Sequence, residues 1–277
     1  MTLYGIPYQG SKTKIAANII QQLPSGERFV DLFGGGFAMS HCARLSNKWR
    51  EILYNDYNPL LPPLLKDALD GKYNYNRFKP EFIPRERFYA EKGTNGYIKY
   101  IWSFGNSGSE YMFGKDVEPL KHEAHDFVVF GRQTKHYRDA EKAVTSTDIH
   151  IRRLQFCGWC KKHKGRFDLQ QLEQLERLQQ LERLERHITL TCGSYDEYTH
   201  ISGDVVYCDP PYEGTAEYDE SFDHQRFYDW VRTRPYQVWF SSYQGVKGFR
   251  LVWARQLRSS LGKGNASINF ECLYTNR

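Results

Sequence analysis

The sequence lacks any apolar run approaching the roughly 18 consecutive residues that a membrane-spanning helix needs. Met1 to Pro24 also lacks the charged-then-apolar pattern of a secretory signal, so a cytoplasmic protein with no membrane partner is expected. Cysteine is sparse: Cys42, Cys157, Cys160, Cys192, Cys208 and Cys272 are the six thiols, and without a secretory signal they are expected to stay reduced. Cys157 and Cys160, followed by His163, have the spacing of half a zinc site, but no second pair completes four ligands and no metal is expected. Low-complexity and collagen-like repeats are absent, and an apolar content of 40% is enough to bury a core. The 277 residues fit one large domain or one domain carrying a big insertion.

Charge is scarce in the sum and concentrated in one place. The net charge is +5, yet Arg132 to Arg166 holds ten Lys or Arg against three acids. A basic tract on a near-neutral body fits a polyanionic partner, and it equally fits a solvated charged face.

The apolar pattern predicts a helix over residues 11–23 after the Gly10-Ser11-Lys12 turn, and a buried strand over 28–33 running into Gly34-Gly35-Gly36. A helix over 38–45 and a short strand over 52–54, ending in Asn55-Asp56, follow. Strand, glycine turn, helix, strand, acid is the opening of a doubly wound nucleotide-binding sheet. The rhythm stops after Pro59 and resumes with a strand over 204–208, a helix over 224–232 and a strand over 237–241. Between these parts, Leu169, Leu172, Leu175, Leu178, Leu181 and Leu184 recur every third residue. A three-residue step advances about 300° on an α-helix, so the leucines wind round it. Half of them are expected to pack on the body in a spacer helix, with the others exposed or meeting a partner helix.

Asp209-Pro210-Pro211-Tyr212 directly follows the strand over 204–208, where open α/β sheets carry their functional crevice. Two prolines remove two backbone donors and fix φ, leaving a rigid turn that offers a carboxylate, bare carbonyls and an aromatic plate. Such a turn suits a planar substrate bearing an NH2 group. The glycine turn admits a ligand close to the backbone, but no Gly-Lys-Ser/Thr follows as in a phosphate-binding loop. Asp56 stands where an acid accepts ribose hydroxyls, so a nucleoside ligand without a pyrophosphate is expected.

In order along the chain, Tyr8-Gln9-Gly10-Ser11-Lys12, Asp31-Leu32-Phe33-Gly34-Gly35-Gly36, Asn55-Asp56, Cys192-Gly193-Ser194-Tyr195 and Asp209-Pro210-Pro211-Tyr212 resemble the motifs of Dam-type DNA adenine methyltransferases of the alpha group. The resemblance implies an α/β fold: a Rossmann-like methyltransferase sheet that binds S-adenosyl-L-methionine, with an inserted, mainly helical target-recognition domain. Residues 1–58 and 188–277 would form the catalytic domain, 59–166 the insertion and 167–187 the leucine-repeat connecting helix. It further implies cofactor contacts from Tyr8, Lys12, Asp31, Phe33, Gly34, Gly36, Asp56, Ser194, Tyr195 and Asp209, and catalysis by Asp209, Pro210 and Tyr212 on the amino nitrogen of a flipped-out adenine. Each contact also has a plain structural alternative: packing for Tyr8, a surface charge for Lys12, a core aromatic for Tyr195, a helix cap for Asp56. Double-stranded DNA would be held through Asn106, Ser107 and Tyr111 in the segment 102–113, and through Arg132, Lys135, Arg138, Arg152 and Arg153 in the basic tract. Tyr111 falls where relatives that methylate GATC carry a base-reading arginine. A monomer is expected, with a dimer through the leucine repeat as the alternative. The neighbouring readings are methyl transfer to RNA adenine, to the cytosine amino group or to a protein glutamine, and a catalytically inactive DNA-binding relative.

Overall fold

A computed structural model describes residues 3–163, 167–184, 187–201, 204–212, 222–258 and 268–277. The chain divides into two compact units: Met1–Gly5, Lys12–Pro62 and Arg186–Arg277 form the first, and Ile6–Ser11 with Pro63–Glu185 form the second. Among the described residues no helix is long and apolar enough to cross a membrane.

The first unit is built on one sheet. Its elements are α1 (Ala16–Gln22), β1 (Arg28–Asp31), α2 (Ala38–Ser46) and β2 (Glu51–Asp56), then, after the second unit's chain, β3 (Ile188–Cys192), β4 (Asp204–Cys208), α9 (His224–Thr233), β5 (Val238–Tyr243), β6 (Arg250–Arg258) and β7 (Ile268–Thr275). Spatial order is β3-β2-β1-β4-β5-β7-β6, with the first five strands parallel and β7 antiparallel to both neighbours. In β1 and β4 nearly every residue is buried, as parallel strands covered on both faces require. One face packs Phe29, Tyr207 and Trp239 against Ile15, Ile19, Met39 and Cys42 of the first helices. The other packs Val30, Val206 and Phe240 against Phe227, Trp230 and Val231 of α9. Strand order reverses at β1, which lies between β2 and β4, so the switch-point crevice opens at the carboxyl ends of β1 and β4. At their amino ends the Arg28 guanidinium donates to Asp204 Oδ2 at 2.6 and 3.2 Å, pinning the register Arg28↔Asp204 through Asp31↔Tyr207.

The second unit is helical: α3 (Leu61–Leu69) leads into it, followed by α4 (Arg85–Glu91), α5 (Gly96–Ile101), α6 (Glu118–Phe130), α7 (Ile149–His163) and α8 (Gln170–Gln179). Phe127, Val128, Tyr137, Phe156 and Trp159 form its core together with Leu169 and Leu172. The leucine repeat thus lies within this unit, and the segment Ile6–Ser11 also joins it, where the sequence pattern set 167–187 apart as a connector and kept the N-terminus with the sheet. Residues 164–166 and 185–186 lie outside the described residues.

The winding expected of the leucines does not expose half of them: Leu169, Leu172, Leu175, Leu178 and Leu181 are all buried, and Leu184 is half-buried. The period explains this. Only Leu172, Leu175 and Leu178 lie within α8, spanning about 120° of its circumference. Leu169 is the non-helical N-cap residue, and Leu181 sits in a 3₁₀ turn over Gln180–Arg183. That turn has about three residues per turn, so it holds residue 181 in line with 178. Leu169 and Leu172 pack in the unit's core, and with Leu175, Leu178 and Leu181 also buried these five leave no open leucine seam.

Leu175→Ala should therefore lower stability by about 2–5 kcal/mol, the cost of emptying a closely packed core position. Urea unfolding measures it; a loss below about 0.5 kcal/mol, as at a surface position, would place Leu175 outside the core.

Candidate active site

Three adjacent parallel strands end in acids or lead into them, which gathers carboxylates at one edge of the sheet. Asp31 closes β1, Asp56 closes β2 and Asp209 follows β4. Asp31 is fully buried; the Ser40 hydroxyl donates to its Oδ2 at 2.7 Å, while Oδ1 has no hydrogen-bond partner among the described residues. Burial pushes the Asp31 carboxyl up to about 7, against the Ser40 hydrogen bond, and the charges of Asp209 and Asp56 add to the rise. Asp56 is also raised by burial, opposed by two backbone donors. Gly35 N–H donates to its Oδ2 at 2.7 Å and Asn58 N–H to its Oδ1 at 2.8 Å. Asp56 thus holds the glycine turn in place. Gly34 packs so closely on the Tyr54 ring that a Cβ would stand 2.1 Å from it, and Gly35 has φ +44°.

Beyond β4, Pro210 is buried, and the Pro211 carbonyl accepts from His224 Nε2 at 2.8 Å, so one of the expected bare carbonyls already has a donor. Lys12, in the turn before α1, places Nζ 2.8 Å from Asp209 Oδ1 and 3.5 Å from Glu271 Oε1. Its side chain is only 11% exposed, which removes the surface-charge alternative. The same ammonium stands over the Tyr212 ring, 4.7 Å from the centroid. The Tyr212 hydroxyl donates to Glu271 and lies 3.1 Å from Asp209 Oδ1, and its ring meets Tyr243 edge-on at 4.7 Å. Glu271 comes from β7 and is 3% exposed. Sequence reasoning missed it, although one acid inside the run Phe270-Glu271-Cys272-Leu273-Tyr274 was the available signal.

Buried Asn55 ties a second wall to the turn. Its amide donates to Leu32 O at 3.2 Å and Gly193 O at 2.9 Å, and Thr191 Oγ1 donates to Asn55 Oδ1 at 3.0 Å. Ser194 caps the short turn Tyr195–Glu197 reciprocally with Glu197. Phe33 and Tyr195 stack at 5.2 Å, and both border an aromatic group with Phe222, Phe227 and Trp230. Lys12, Asp31, Phe33, Gly34, Gly36, Asp56, Ser194, Tyr195, Asp209, Pro210 and Tyr212 all belong to the first unit.

Tyr8 belongs to the second unit, where its ring lies 5.2 Å from Tyr100 and Gln9 N–H donates to Asn106 O at 3.3 Å. The segment 102–113 bends back on itself through an antiparallel bridge between Ser103 and Tyr111. Asn106 uses its amide on Tyr100 O at 2.8 Å, and the Ser107 hydroxyl donates to Phe104 O at 3.2 Å. Three DNA-contact expectations are corrected by burial and partners. Tyr111 is 4% exposed, with its hydroxyl on Ile83 O at 2.7 Å and its ring under Arg85, so it cannot reach a base edge. Arg152 caps the end of α6, donating to Val128 O at 2.8 Å, Ser146 O at 3.2 Å and Phe127 O. Arg153 forms a bidentate pair with Glu176, 2.8 Å in both hydrogen bonds. Arg132, Lys135 and Arg138 are exposed; Arg132 pairs with Asp126 at 2.7 Å. Among the described residues no three His, Cys, Asp or Glu side chains converge as metal ligands, and Cys160 is buried in the second unit's core.

A mostly parallel sheet with a glycine turn after its first strand and an acidic, proline-rigid turn at its switch point defines a doubly wound α/β protein. The family model for D12 class N6 adenine-specific DNA methyltransferases matches residues 8–229, and the chain belongs to that family. It is similar to a retron Ec67 DNA adenine methylase of Escherichia coli, 27% identical over 220 residues. The similarity covers 76% of this chain and 64% of that protein, so the chain matches less than two thirds of the relative's length.

The proton on Asp31 gives a pH signature. The unfolded chain releases it near 3.8 and the folded protein near 7, so the folded state binds more protons in between. This contribution to stability is therefore present below about pH 4 and lost as the pH rises to about 7. Asp31→Asn should remove it. Melting temperatures from pH 4 to 8 check this: the wild-type minus Asn difference should fall across the window, and parallel profiles would refute the shift.

Proposed function

We propose that the protein transfers a methyl group from S-adenosyl-L-methionine to the exocyclic amino nitrogen of adenine in duplex DNA. One observation carries the reading: Asp209 and Tyr212 sit at the switch point of the sheet, adjoining a buried acid with an oxygen that has no partner among the described residues, within a family whose description is adenine-specific. The donor set fits the cofactor. Asp31, Asp56 and Asp209 gather negative charge suited to a sulfonium and an ammonium, and Asp31 Oδ1 is a buried acceptor without a partner among the described residues. Phe33, Tyr195 and Ser194 would hold the adenosine end, with Asp56 on the ribose and Gly34 and Gly36 letting it approach the backbone. Lys12 would border the methionine end. When bound, S-adenosyl-L-methionine supplies the electrophilic methyl group.

The residues of the chain do the rest. The amino nitrogen of adenine is a poor nucleophile because its lone pair is delocalised into the ring. The Asp209 carboxylate and the Pro210 carbonyl accept its two N–H bonds, turning the lone pair out of the ring plane, and Tyr212 stacks on the base. These contributions are orientation and preorganised electrostatics. The adenine must leave the duplex, at a cost of a few kcal/mol that stacking partly offsets. The second unit is the proposed recognition domain, with segment 102–113 facing the bases and exposed Arg132, Lys135, Arg138 and Lys142 meeting phosphates. The enzyme acts as a monomer on this reading.

Asp209→Ala should lower kcat by about 10²–10³, as loss of a preorganised charge partner does, while DNA binding is largely kept. Radiolabelled methyl transfer to DNA, RNA and protein acceptors tests both the role and the acceptor; labelling of RNA alone would overturn the DNA reading. Replacing Arg132, Lys135 and Arg138 together by Ala should weaken binding at all sequences and flatten the salt slope by about one unit for each phosphate no longer neutralised. Unchanged affinity would make the tract a solvated face.

A further inference from the structure

Lys12 occupies both features that the proposed substrate needs. Its ammonium fills the Asp209 acceptor at 2.8 Å and covers the Tyr212 ring at 4.7 Å. A planar amine that is to bind Asp209 Oδ1 and stack on the Tyr212 face that Lys12 covers must displace it. An ammonium this buried cannot leave its carboxylate unreplaced, because breaking a buried pair by removing one partner leaves an uncompensated charge. The structure supplies the replacement: Glu271 Oε1 lies 3.5 Å from the same nitrogen, so a shift of about an ångström brings it to the 2.7–2.9 Å of a charge-assisted hydrogen bond.

Resting on the methyltransferase reading, we infer that Glu271 is a positioning residue that receives the Lys12 ammonium when the substrate amino group takes Asp209. Displacement then gives up the Lys12–Asp209 pair for a hydrogen bond from the neutral amino group, while the existing Lys12–Glu271 pair tightens and keeps the ammonium partnered. Glu271 also accepts the Tyr212 hydroxyl, so it fixes the aromatic plate while the ammonium moves from the ring face. Its setting fits a group that needs the ammonium: burial raises its carboxyl, Lys12 opposes that rise, and Asp209 adds to it. Glu271 lies beyond the residues 8–229 that the family model matches.

Glu271→Gln keeps an acceptor for the Tyr212 hydroxyl and removes the charge. On DNA free of adenine methylation it should lower kcat/KM by about 10- to 100-fold, the worth of one charge-assisted hydrogen bond. The loss should fall mainly on KM for DNA, because Lys12 then competes more strongly for Asp209. Glu271→Asp should recover part of it. The deciding comparison is a double-mutant cycle: in a Lys12→Met background, Glu271→Gln should cost less than about twofold, within the scatter of independent sites. A purely structural Glu271 would cost the same in both backgrounds. Should Glu271→Gln fail to fold, by circular dichroism and thermal melting, the cycle is run with Glu271→Asp, which keeps the charge and displaces it. Wild-type enzyme that transfers no methyl to DNA overturns the methyltransferase reading and this inference together. Active wild type whose kcat/KM is unmoved by the substitution, or falls equally with Lys12 removed, overturns the inference alone.

Discussion

The register of β1 against β4 is the constraint on which the site depends. Asp31 and Asp209 belong to neighbouring strands because Arg28 pairs with Asp204 and Asp31 with Tyr207, although more than 170 residues of chain separate these partners. Loop-closure cost rises only logarithmically with length, and most of the intervening chain forms a compact helical unit with its own core. The sheet therefore tolerates the interruption. A one-residue slip would turn every β4 side chain to the opposite face, carrying Tyr207 and Val206 into the wrong layers and Asp209 away from Lys12.

Much of this was legible in the residue pattern. The apolar runs of β1, β4 and β5, the helical spacing before and after the glycine turn, and the acid ending β2 are local signals, and the elements fall within a few residues of the expected positions. The half-exposed edge strand β3 and the antiparallel pair β6–β7 carry weaker patterns, because their stabilisation comes from neighbours distant in sequence. The same limit produced the errors in the second unit. A sequence displays the charge of Arg152 and Arg153 but not the α6 carbonyls or the Glu176 carboxylate that absorb it. It displays Tyr111 as a polar aromatic in a turn-rich segment but not the Ile83 carbonyl waiting in the core.

Glu271 shows the opposite failure. Little that is local marks a single acid in an apolar run as part of a site, yet antiparallel pairing with β5 sets it beside Tyr243, whose ring packs on Tyr212. The terminal antiparallel strand thus does more than close the sheet. It brings a second carboxylate to the crevice from the side opposite β1 and β2, and Lys12 stands between the two.

Four carboxyl groups face this region, from Asp31, Asp56, Asp209 and Glu271, and Lys12 is the cation paired with two of them. Burial disfavours the ionised form of Asp31, the charges of Asp209 and Asp56 add to this, and Asp31 retains its proton up to about 7. A cationic ligand reverses that balance. By favouring the ionised carboxyl it lowers the Asp31 pKa, so on the methyltransferase reading cofactor binding and proton release from Asp31 are linked, and affinity rises with pH until Asp31 is ionised without the ligand. On that reading, the buried Asp31 carboxyl that lowers the stability of the fold as the pH rises towards neutrality is also what would favour a sulfonium over a neutral nucleoside.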